Sequence, residues 1–154
     1  MNWDAIGAIG EIISAIAVLG TLIYLAMQIR QSSDTQRAQT HQQLAHDRII
    51  NYRLMIANKE IRDAVSKAQF GKPLNTDEQR LLYWLSMANF RAYENEMNQH
   101  SKGMIEDEEL ELQRKVLEYP YIQIEAVEAV SLHTFTPKTQ ELIRILAEKR
   151  RIAS

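Results

Sequence analysis

The chain has 154 residues, 45% hydrophobic and 25% charged, with a formal net charge of -2 and no cysteine. That length suits one domain, and the absence of thiols excludes a disulfide framework, a thiolate metal site and a cysteine nucleophile. All 18 Lys and Arg lie at or after Arg30, and residues 30–154 carry 18 charges of each sign, which gives no reason to expect nucleic acid or an anionic membrane surface as a partner.

The first predicted element is a membrane helix. Ala5 to Met27 is an apolar run broken by one charge, Glu11. A span needs about 20 such residues, and this run supplies them. A cleaved signal peptide would want a basic residue before the apolar core, and Met-Asn-Trp-Asp has none. A retained transmembrane helix is therefore expected over 1–30, ahead of a cleaved signal or a buried soluble helix. Arg30, Arg37 and Arg48 follow the run and no cation precedes it, so the bias of positive charge places the C-terminal part in the cytoplasm and the N-terminus outside. Trp3 and Tyr24 lie toward its two ends, where amphipathic rings favour the interface.

One face of this helix is unusual. Steps of three and four connect Gly7, Gly10, Ser14, Ala17, Thr21, Tyr24 and Gln28, each of them small or polar. Lipid gives no reason for such a face, whereas close helix–helix contact does. Self-association along it is the expectation, and the alternative is that small residues are merely common in membrane helices. Glu11 lies beside the stripe. It is either an interfacial acid that is protonated or hydrogen-bonded, or part of an acidic ring lining a pore.

The same spacing continues through Gln31, Thr35, Ala38, Gln42, Ala45, Ile49, Tyr52 and Ile56. Residues 31–57 are read as a helical stem, with Ser32, Ser33 and Asp34 as the place for a kink. Residues 31–43 hold a single apolar residue, Ala38, and so cannot bury an apolar face.

A cytoplasmic helical bundle is expected over 58–154. The first helix runs from the cap Asn58 to the stop Gly71, with Ile61, Ala64, Val65 and Ala68 on one side. The central helix starts at Asn75 or Thr76 and ends at Gly103. Its apolar belt comprises Leu81, Leu82, Trp84, Leu85, Ala88, Phe90, Ala92 and Tyr93. An acidic helix over 106–117 ends before Tyr119-Pro120. Residues 121–132 alternate partly like a strand, yet no second strand is in sight and a helix is the better reading. Pro137 opens the last helix, with Leu142, Ile143, Ile145 and Leu146 on its buried side. The fold class is thus all-α: a transmembrane helix, a stem and an antiparallel bundle.

Chemistry-bearing motifs are scarce. Glu96 and His100 share a helix face with Glu94 nearby, but no Glu-x-x-His occurs, and the three read as solvated polar residues. His41 and His46 lie on different faces. Arg91, Tyr93 and Glu94 suit a structural ion-pair network, with a small-ligand site as the alternative. There is no phosphate loop, no Gly-x-Ser-x-Gly and no His-Glu-x-x-His. No enzyme activity, cofactor or metal is therefore expected.

Residues 2–31, "NWDAIGAIGEIISAIAVLGTLIYLAMQIRQ", resemble the opening of a family of small bacterial membrane proteins of unassigned function. The segment "FRAYENEMNQHSKGMIEDEEL" is similar to their middle part. The resemblance implies a bacterial inner-membrane protein with one span and a helical cytoplasmic remainder, and it brings no activity. The resulting expectation is a single-span homo-oligomer in the lipid bilayer, pore-forming in its sharper version. The runner-up is a membrane-anchored module whose bundle binds a cytoplasmic protein.

Overall fold

The computed structural model describes residues 3–153, with the side chains at 3–6, 8 and 51 left aside. Regular structure among them is helical throughout: α1 (Trp3–Ala57), α2 (Lys59–Gln69), α3 (Thr76–Ser101), α4 (Asp107–Val116), α5 (Ile124–Ser131), a 3-10 turn (Leu132–Thr134) and α6 (Pro137–Ala153). The all-α class, with one long N-terminal helix leading into several shorter ones, is as the sequence pattern requires. The chain divides into two units, residues up to Gln39 and residues from Thr40 onward.

In the first unit α1 is long and apolar enough to cross a membrane. Its large apolar side chains between Ile9 and Ile29 are 45–70% exposed. At Ser32, Ser33 and Asp34, where a kink is expected, α1 stays helical. Nearby hydroxyls bond back to the preceding turn instead: Thr21 Oγ1 donates to the Ala17 carbonyl and Thr35 Oγ1 to that of Gln31, both at 2.9 Å. Such bonds satisfy a hydroxyl without breaking a helix.

In the second unit the last turns of α1 join the shorter helices around one core. Leu82, Phe90, Leu117, Ile122, Val127 and Ile143 are fully buried there. Local signals set the helix limits. The Asn58 side chain accepts from Ile61 N, and Asn75 with Glu78 forms a reciprocal capping box. Gly71 and Gly103 stop α2 and α3 with φ of +63° and +69°, a region that side chains disfavour. Glu94 on α3 accepts from the Thr136 backbone N–H at 2.7 Å, and so caps the start of α6 from across the bundle.

Three expectations need correction. The helix expected over 121–132 begins only at Ile124. Pro120 and the turn bond from Ile122 N to the Tyr119 carbonyl keep Tyr121 and Ile122 in a buried turn. Ile145 is 57% exposed rather than buried, since α6 buries Thr139, Ile143, Leu146 and Ala147, and a residue two positions from Ile143 points away. Trp84 and Ala88 leave the belt of α3 for the same reason. The buried line there is Leu82, Ser86, Phe90, Tyr93 and Glu96, and Trp84 is 62% exposed.

Candidate functional site

The sequence-predicted face of α1 lies in the first unit. Gly7, Gly10, Glu11, Ser14, Ala17, Thr21, Tyr24 and Gln28 are all exposed. A Cβ added at Gly7 or Gly10 would meet nothing within 4 Å, so the face has room for a close neighbour. Among its hydroxyls, Thr21 is spent on its own helix, whereas Ser14 makes no hydrogen bond among the described residues. The Trp3 side chain, expected at the membrane interface, lies outside the described ones.

The second unit holds a polar cleft that sequence reasoning missed. It lies between the end of α1, the middle of α3 and α4, with a volume of about 80 Å³. Leu44, Met55, Leu85, Ala92 and Val116 give it apolar walls. Arg48, Glu96, Gln113 and Tyr121 are among its polar groups, beside Asp47, Tyr52, Asn89 and Asn95. Glu96 reaches it because the apolar phase of α3 runs on past Tyr93 to a carboxylate. Arg48 answers across the interface: Nη2 lies 2.9 Å from Oε2 and Nε 3.3 Å from Oε1. This two-point geometry is the strong form of an arginine–carboxylate pair. Glu96 is 2% exposed, and burial raises its carboxyl above the usual range despite the opposing hydrogen bonds and charge of Arg48.

Arg48 spends Nε and one Nη2 donor on Glu96, which leaves Nη1 over. Gln113 is 7% exposed, and its amide finds no hydrogen-bond partner among the described residues. Its amide atoms are not among those buried without a partner, so the amide opens to solvent in the cleft. The Tyr121 phenol is pushed up to about 12 by burial, with smaller contributions from Tyr52 and Tyr119, so it stays a donor at neutral pH.

The other polar groups are mostly structural. Arg91 pairs with Glu94 at 2.7 Å, donates to the Thr134 carbonyl and lies 4.3 Å above the Phe135 ring. Burial pushes the Glu94 carboxyl up, but the Thr136 amide and hydroxyl and Arg91 outweigh it and hold the group low. His41 Nδ1 stands 3.0 Å from Glu109 Oε2, an oxygen buried without a hydrogen bond, so the contact is an ion pair whenever His41 carries a proton. His100 meets Asp107 at 2.6 Å. The reading of Glu94, Glu96 and His100 as one solvated face is therefore corrected: Glu96 is interior, Glu94 is half-buried in a cap, and His100 joins the end of α3 to the start of α4. Arg91 and Glu94 form the expected ion pair while Tyr93 lies in the core, and Arg91 and Glu94 also line a surface pocket with Thr136 and Lys138. No group of three or more His, Asp or Glu placed to hold a metal occurs among the described residues.

No family model matches the chain, and neither a curated protein nor a solved structure shows significant similarity to it.

Proposed function

We propose that the protein is a single-span inner-membrane protein that self-associates through the Gly7–Gln28 face of α1. One observation carries the reading: an apolar helical surface wholly exposed on one chain, interrupted along one narrow line by small and hydrogen-bonding residues. Water does not tolerate an apolar surface of this extent, lipid covers it, and a second copy covers the narrow line. The charge asymmetry around the span sets the compact unit in the cytoplasm. The resemblance of residues 2–31 to small bacterial membrane proteins supports the bacterial inner membrane. In a ring of copies, Glu11, Ser14, Thr21 and Gln28 would face the axis, which is the channel form of the same reading.

Cross-linking in membranes and native mass spectrometry in detergent test this. A defined oligomer that Gly10→Leu disrupts supports the assembly. A strict monomer overturns it, and a dimer leaves no room for a pore. Planar-bilayer currents altered by Glu11→Gln would support conduction.

A second reading is favoured by the cleft in the second unit: a membrane-anchored module in which the span is a tether and the bundle binds a partner. A monomer whose soluble face captures a cytoplasmic protein would support this reading over assembly.

A further inference from the structure

The cleft beside Arg48 and Glu96 points to a binding site that does not depend on how the span assembles. We propose that it takes a small uncharged ligand carrying a carboxamide or an equivalent carbonyl and N–H pair, held by Gln113 and by the spare Nη1 of Arg48.

Charge comes first. Arg48 and Glu96 neutralise each other through two hydrogen bonds. Asp47 at the exposed rim adds one negative charge and already accepts from Gln43 Nε2 at 2.9 Å. An anion would meet a lining made net negative by Asp47, and a cation would meet the Arg48 guanidinium along with the attraction of Asp47 and Glu96. Either would also lose its hydration on entering walls made of leucine, methionine and valine. A neutral ligand avoids both penalties.

Hydrogen bonding comes next. Gln113 is 7% exposed and lines the cleft, and its amide, which bonds no described residue, meets the solvent that fills it. A primary carboxamide is the mirror of that amide, with acceptor to donor and donor to acceptor. Arg48 Nη1 offers a second, charge-assisted donor to the same carbonyl.

Size sets the limit. A cavity of about 150 Å³ holds benzene, so this cleft of about 80 Å³ admits a carboxamide with a short alkyl stub.

The experiment is ligand-observed saturation-transfer NMR on the full chain in detergent micelles, with propanamide, propionate and propylammonium as probes. Propanamide should bind saturably, about tenfold or more tighter than either charged analogue. Gln113→Leu keeps the bulk of the side chain, removes the amide and should abolish the signal while circular dichroism stays unchanged. If Gln113→Leu fails to fold, the comparison of the three probes on the unaltered chain decides alone. Equal binding of the three probes, no saturable binding, or a propanamide signal that survives in folded Gln113→Leu would overturn the proposal. The last outcome would mean partition into micelles, and the second a cleft filled by water.

Discussion

Arg48 and Glu96 join α1 to α3 by two hydrogen bonds across 48 residues of chain, but they are unequal partners. The Glu96 side chain is 3% exposed and that of Arg48 is 30% exposed. Removing the arginine strands a carboxylate inside the bundle, whereas removing the carboxylate leaves a guanidinium that can turn toward water. Arg48→Met should therefore lower the unfolding free energy by about 3 kcal/mol, and Glu96→Leu by about 1 kcal/mol. The Arg48→Met, Glu96→Leu double variant should return close to the unaltered chain. Urea unfolding of the three variants checks this, and equal losses from the two single variants would show that burial does not set the balance.

Acid titration should separate two glutamates on the same helix. Burial raises the Glu96 carboxyl against the pull of Arg48, so the folded chain holds this proton more tightly than the unfolded chain. Its contribution to stability is full at low pH and falls as pH rises from about 4.3 through the folded value. Glu94 acts in the opposite sense. Burial raises it, but the Thr136 and Arg91 bonds prevail and hold it low. Its contribution is present above the ordinary value and is lost as pH falls through the folded one. Thermal melts between about pH 3 and pH 7 should show Glu94→Gln flattening the acid-side loss, and Glu96→Gln removing the decline on the other side. A steeper decline in Glu96→Gln would mean that Arg48 outweighs burial.

What was legible in the sequence was local. Asn58, the Asn75–Glu78 box, Gly71 and Gly103 each act within one turn of themselves, so the limits of α2 and α3 could be read from neighbours in the chain. The apolar run at the N-terminus was legible for the same reason. The cleft was not, because Arg48 and Glu96 become partners only through packing. One signal did exist. The buried phase Leu82, Ser86, Phe90, Tyr93 steps next onto Glu96, and a carboxylate on a buried phase demands a cation. The wide apolar belt concealed this, since Trp84 and Ala88 made the exposed side of α3 look buried as well. Nothing comparable points to Gln113, because an amide on a short acidic helix looks the same whether it faces water or a cleft.

Ser86 illustrates how one hydroxyl fixes a turn far away. Its Oγ donates to the Leu82 carbonyl at 2.6 Å and accepts from the Gln123 backbone N–H at 2.8 Å. Ser86 is fully buried, so Ser86→Ala leaves the Gln123 N–H beside apolar neighbours with no acceptor. The expected loss is about 1–3 kcal/mol in chemical unfolding, with faster hydrogen exchange at the Gln123 amide. Unchanged exchange at that amide would show that another acceptor replaces the hydroxyl.

The two hydroxyls on the face of the span make opposite predictions. Thr21 Oγ1 is already bonded to the Ala17 carbonyl, so it offers a neighbouring helix little beyond its shape. Ser14 is exposed and makes no hydrogen bond among the described residues, so it is free to bond across an interface. Interhelical hydrogen bonds of this kind contribute about 0.6–1.7 kcal/mol in a membrane. Ser14→Ala should therefore weaken association by roughly that amount, while Thr21→Val should change it little. Ile16→Leu, on the opposite side of the helix, should be neutral, because lipid accepts either side chain. Dilution of the oligomer in micelles, followed by energy transfer between labelled copies, measures all three variants on one scale. If Ile16→Leu weakens association and Ser14→Ala does not, the apolar side packs inward and the small-residue face meets lipid, which reverses the proposed assembly.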